Sequence, residues 1–149
     1  MKIYLDADSC PKPARELILR RAKSLNIEII FAANRQIPDS EGAQMEICSL
    51  EENSADDRIV ELAGKGDLVI TRDVPLAKRL VDNEVSVIDD RGRIFTSNNI
   101  NELLSLRNFS VGLADSGLGM ERIANYGKKE LKTFADSLDR ILTKLNKNV

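Results

Sequence analysis

Histidine is missing from these 149 residues. That absence removes imidazole general bases, Ser/His and Cys/His nucleophile pairs and nearly all zinc enzymes. Carboxylates and hard metal ions are what remain for hydrolytic chemistry. Cysteine is almost as scarce, and Cys10 and Cys48 alone imply no disulfide framework. Aromatic residues make up 4% of the chain, so no stacking platform for single-stranded nucleic acid is evident. No apolar run approaches the roughly 20 residues of a membrane span, and the N-terminus lacks the apolar core of a signal peptide. The expected location is therefore cytoplasmic, with no membrane partner. A net charge of -2, with 31% charged residues of both signs, leaves no basic tail and confines any nucleic-acid contact to a local patch. The length suits one domain, residues 1–149, of a size that buries roughly 70% of its unfolded surface.

What is present is organised around the opening stretch. Ile3, Tyr4 and Leu5 are strand formers in a row, as in a strand buried on both faces of a parallel sheet, and the strand runs straight into Asp6 and Asp8. In open α/β sheets ligands bind beyond the C-terminal strand ends. Acids two apart on extended backbone point to one side and repel each other unless a cation lies between them. A divalent-metal site is one reading. The other is that Asp8 or Ser9 caps the following helix and Asp6 is a solvated loop residue.

Further along, Pro11 and Pro13 suit a helix start, and Ala14, Leu17, Ile18, Ala22 and Leu25 form one apolar stripe, with Asn26 as the stop. Residues 27–33 read as the second strand, ending in Asn34 and Arg35. Residues 36–43 read as a loop and 45–50 as a short third strand containing Cys48. Ser54 and Asp57 resemble a capping box that opens a helix, which leaves Asp56 free to point elsewhere. Leu68, Val69 and Ile70 are the most apolar short run and mark a central strand ending in Thr71, Arg72 and Asp73. A helix from Val74, a fifth strand at 85–88, a tight turn at 90–93 and a helix from about Asn99 through Leu106 follow. Gly112, Gly117 and Gly119 make residues 110–125 read as loop. Leu131, Phe134, Leu138, Ile141, Leu142 and Leu145 lie on one face of a long C-terminal helix.

This succession predicts a three-layer α/β domain with a mostly parallel sheet. Asp6, Asp8 and Asp73 follow strands, and Asp56 opens a helix that starts on the same edge if its connection is right-handed. Four acids on one edge point to an Mg²⁺ or Mn²⁺ site, because hard cations choose carboxylate oxygen and water. Lys12, Arg35 and Arg72 lie near that edge as candidate phosphate contacts.

The chain also resembles the uncharacterised bacterial YaiI/YqxD family. The resemblance rests on Asp6-Ala7-Asp8-Ser9-Cys10-Pro11, Asn34, Ala55-Asp56, Gly66-Asp67-Leu68-Val69-Ile70-Thr71, Asp73, Pro75-Leu76-Ala77, Arg91-Gly92, Thr96, Asn99-Ile100 and Leu138-Asp139. It implies a PIN-like fold, that of metal-dependent ribonucleases and flap-type nucleases, with Asp6, Asp8, Asp56 and Asp73 as catalytic metal ligands. Ser9, Lys12, Asn34, Arg35, Thr71 and Arg72 are the accompanying candidates for substrate binding. One departure is that Met120 to Asn125 stands where the family usually has a Gly-Gly-Pro element.

The expected activity is hydrolysis of RNA or DNA phosphodiesters by metal-activated water, which needs no side-chain nucleophile. Two alternatives stay open. A non-catalytic PIN-like module that binds RNA or a protein is one. A haloacid-dehalogenase-type phosphatase with Asp6 as nucleophile is the other, although helix-forming sequence begins too soon after Asp8 for the hairpin such enzymes carry. A thiol nucleophile at Cys10, next to a helix N-terminus, is a remoter option.

Overall fold

The computed structural model describes residues 1–6, 10–33, 43–47, 54–115 and 126–147. Asp8, Ser9, Asn34, Arg35, Cys48, the expected loop at 36–43 apart from Ala43, and Met120 to Asn125 lie outside the described residues. Six strands form one sheet: β1 (Lys2–Asp6), β2 (Glu28–Ala33), β3 (Gln44–Ile47), β4 (Leu68–Ile70), β5 (Ser86–Ile88) and β6 (Ile94–Phe95). Their order is β3-β2-β1-β4-β5-β6. All neighbours are parallel except the final pair, β5 with β6.

The helices are α1 (Lys12–Leu25), α2 (Ser54–Leu62), α3 (Val74–Asp82), α4 (Ile100–Asp115) and α5 (Lys128–Lys147). Strand side chains alternate between two faces, and the core divides accordingly. Ile3, Leu5, Phe31 and Ile70 pack with Ala14 and Ile18 of α1 and Phe134 and Leu138 of α5. Tyr4, Ile30, Val69 and Val87 pack on the opposite side with Ile59 of α2, Leu76 and Leu80 of α3 and Ile100 of α4. This is the three-layer α/β architecture that the order of elements predicts, with a six-stranded, mostly parallel sheet and helices on both faces.

Four local expectations need correction. Leu25 is 45% exposed rather than core, because α1 ends there: Asn26 takes the left-handed conformation (φ 56°) and the Ile27 N–H turns back to the Ala22 carbonyl at 2.8 Å. Ser54 is the first residue of α2 and not the residue before it, and the Asp57 carboxylate accepts from Arg79 of α3 at 2.9 Å. Residues 110–115 belong to α4, which passes through Gly112; one internal glycine costs only about 1 kcal/mol, and Leu113 and Ala114 beside it are good helix formers. The third strand starts at Gln44, one residue earlier than expected.

The tight turn after β5 is held by Asp89, whose Oδ1 accepts from the N–H groups of Arg91 (2.9 Å) and Arg93 (2.8 Å). Gly92 in this turn has φ 89°, and a Cβ there would lie 2.7 Å from the Thr133 carbonyl oxygen of α5. The Ser137 hydroxyl donates to the Gly92 carbonyl at 2.7 Å, tying the turn to that helix. Glycine is required here for both conformation and close approach.

Candidate functional site

β1 has β2 on one side and β4 on the other, so the strand order reverses there and a crevice opens beyond the C-terminal ends of β1 and β4. Register sets what faces it. Leu5 pairs with Ile70, which places Asp6 beside Thr71. The Thr71 hydroxyl donates to Asp6 Oδ2 at 3.2 Å and accepts from the Asp73 N–H at 3.0 Å. Thr71 is buried, so its hydroxyl works as a link that fixes two acids relative to each other. Asp73 Oδ1 accepts from the Leu76 N–H at 3.1 Å and caps α3, whose first turn carries Pro75. That cap occupies one lone pair of a carboxyl group that has several.

Asp56, in the first turn of α2, approaches Asp73 closely enough for their side chains to interact, with Asp6 also near. Its carboxyl is pushed up to about 7 by burial first, then by the Asp73 charge and hydrogen bond and by the Asp6 charge, while Arg79 opposes the shift. Two carboxyl groups can hydrogen-bond only when one carries a proton. The pair is a site of crowded negative charge, whose repulsion a proton on Asp56 or a bound cation would relieve. Asp6, Asp56 and Asp73 are thus brought to one edge. Among the described residues, however, no three His, Cys, Asp or Glu side chains are arranged to hold a metal ion. Lys12 opens α1 and is exposed, 4.0 Å from Glu16 one turn on.

Two groups that sequence reasoning left aside, Asp90 and Tyr126, adjoin this edge through Arg72, which it had named. Arg72, between Thr71 and Asp73, donates through Nε to Asp90 Oδ2 at 2.6 Å. The Asp90 side chain is only 3% exposed and, among the described residues, its Oδ1 has no hydrogen-bond partner. The Tyr126 hydroxyl donates to the Asp90 carbonyl at 2.6 Å, and burial raises its pKa. Asp6, Cys10, Ile70, Thr71, Arg72 and Asp90 line one narrow gap with no room for a water, so Asp6 and Asp90 lie near each other. The available signal was position: Asp89 and Asp90 follow β5 just as Asp6 follows β1, and a turn reading hid it. Cys10 is not the activated thiol considered above. Burial, and next the Asp90 charge, push it up to about 12, because its buried site penalises the thiolate.

Residues 4–144 match a family model described as "Uncharacterized BCR, YaiI/YqxD family". The chain is 49% identical to a UPF0178 protein of Treponema denticola over 97% of its own length and 93% of that protein. It is 43% identical to a UPF0178 protein of Treponema pallidum, covering 97% of this chain and 83% of the other, and 43% identical to one of Syntrophobacter fumaroxidans, covering 97% and 95%. No solved structure matches the chain.

Proposed function

We propose that this chain, which belongs to the uncharacterised YaiI/YqxD family, is a divalent-metal-dependent phosphodiesterase acting on nucleic acid at the Asp56–Asp73 edge. The observation that supports this reading is the close approach of those two carboxyls, beside Asp6 and at the switch point of the sheet. A site that gathers negative charge faster than it supplies donors is matched to a cation. The donor set suits a hard one, since it offers carboxylate oxygen with no thiolate or imidazole.

Asp56, Asp73 and Asp6 are the residues that would hold an Mg²⁺ or Mn²⁺ ion, with Asp8 as a further candidate ligand. Mg²⁺ commonly keeps several waters and uses one or two protein carboxylates, so these residues meet its requirement. When bound, the ion supplies Lewis-acid polarisation of a phosphoryl oxygen and a water of lowered pKa. The protein's own contribution is positional. Thr71 fixes the distance between Asp6 and the Asp73 backbone, and the cap on α3 holds the Asp73 carboxyl in one rotamer. α1 begins at Lys12, directly after 7–11, which leaves no room for the hairpin of the haloacid-dehalogenase alternative.

The test is incubation of the pure protein with labelled RNA and DNA, single-stranded and structured, at low salt with Mn²⁺, Mg²⁺ or chelator. Metal-dependent cleavage lost in Asp56→Asn and Asp73→Asn is the expected result. Equal cleavage by wild type and both variants would assign it to a contaminant, and binding without turnover would make the protein a nucleic-acid-binding module.

A further inference from the structure

We propose that the Arg72 guanidinium, pinned by Asp90, is a built phosphate-binding subsite that receives a non-bridging oxygen of a nucleic-acid phosphodiester beside the Asp6–Asp73 edge. The identity of the ligand as a polynucleotide rests on the function proposed above; the subsite itself rests on the geometry of the pair.

Arg72 is flanked in sequence by the residue that hydrogen-bonds Asp6 and by the residue that pairs with Asp56. Its side chain is 48% exposed, whereas Asp90 is enclosed. The contact uses Nε, at 2.6 Å. Among the described residues neither Nη group meets an acceptor, and about half of the side chain is exposed (48%). Arginine presents its guanidinium fork to phosphate in a bidentate manner, which lysine cannot do.

Asp90 itself is the second, independent observation. A buried carboxylate with one oxygen unsatisfied is costly, and an ion pair of this kind is seldom better for stability than apolar residues of the same size. The arrangement has an evident use if its purpose is to fix the guanidinium plane. Tyr126 and Arg93 hold the backbone around Asp90, the first through the Asp90 carbonyl and the second through the Asp89 N–H at 3.0 Å, so the anchor does not move with the ligand. Asp90 is then a positioning residue, and Arg72 is the group that touches the phosphate.

Two probes test this: inorganic phosphate, and a short single-stranded oligouridylate, each titrated into the full chain with chelator present. The first readout is the side-chain N–H resonance of Arg72 in proton–nitrogen NMR spectra, recognised by its loss in Arg72→Lys. Phosphate should shift that resonance saturably, and Asp90→Asn should weaken the response several-fold although the arginine charge is intact. For the oligonucleotide, Arg72→Ala should weaken binding about tenfold and lower the slope of log K against log salt by about one. Arg72→Lys should recover the slope and little of the affinity, an outcome that mere loss of stability would not give. No phosphate response at Arg72, or equal affinities in Arg72→Lys, Asp90→Asn and wild type, would overturn the subsite. A phosphate response without any cleavage of nucleic acid leaves the subsite in place and removes the nuclease reading. Cleavage with KM unchanged in both variants does the reverse.

Discussion

The acids that follow β4 and those that follow β5 lie at the same edge of one sheet, both raised by burial, and differ in their partners. Asp89, after β5, is buried, and burial raises its carboxyl; the two N–H groups of Arg93 and Arg91 act against that rise. Asp56 and Asp73, at the β4 side, meet each other, so that like charge adds to the effect of burial and Asp56 reaches about 7. Backbone donors turn a buried carboxylate into a structural clasp. Their scarcity beside a facing pair turns it into a place for a cation or a proton. Asp90 stands between the two cases, paired on one oxygen and unpaired on the other.

The largest effect should come from cutting the clasp. Asp89→Ala leaves the N–H groups of Arg91 and Arg93 without their acceptor in the turn that docks on α5, and should cost about 2 kcal/mol, read as a lower midpoint in urea unfolding. An unchanged midpoint would mean that water replaces Asp89 at no cost, and the contrast between the two regions would fail.

Asp56→Asn should act in the opposite direction. A carboxyl whose folded-state pKa lies above its unfolded value weakens the fold progressively as pH rises between the two values, because the unfolded chain releases the proton more readily. For Asp56 that window runs from about pH 4 to about pH 7, and the penalty is fully present above it. The metal-free variant should therefore melt higher than wild type at pH 8 and almost equally at pH 4. A lower melting temperature at pH 8 would show that the Asp56 carboxylate is structural.

The smallest effect is expected one residue away. Asp57 and Arg79 form an ion pair at 2.9 Å with both side chains substantially exposed, and such pairs contribute less than about 1 kcal/mol. Asp57→Ala should leave stability nearly unchanged and any melting-temperature rise given by Mn²⁺ intact. Loss of that rise in Asp57→Ala, with retention in Asp56→Asn, would exchange the roles of the two neighbours.

The sheet and its helices were legible because β1 and β4 are short runs of apolar strand formers, while α1 and α5 carry apolar residues at helical spacing. Asp6, Asp56 and Asp73 were legible as well, from their places after strands and at a helix start. Asp90 was not, because its contacts come from an arginine 18 positions earlier and from Tyr126, and neither follows from local pattern. The continuation of α4 through Gly112 was missed for a similar reason: a single glycine is a weak breaker when the residues around it favour helix. Cys10 was read as a possible nucleophile from its place before a helix, whereas its burial decides its chemistry.

The most direct test of the central claim is calorimetric titration of Mn²⁺ into the protein in two buffers of different ionisation enthalpy, at pH 6 and at pH 8.5. If Asp56 and Asp73 share a proton that a cation replaces, binding at pH 6 releases a proton, binding at pH 8.5 releases almost none, and Asp56→Asn abolishes the difference. Absence of Mn²⁺ binding at both pH values, or binding with the same proton release in Asp56→Asn, would contradict the account.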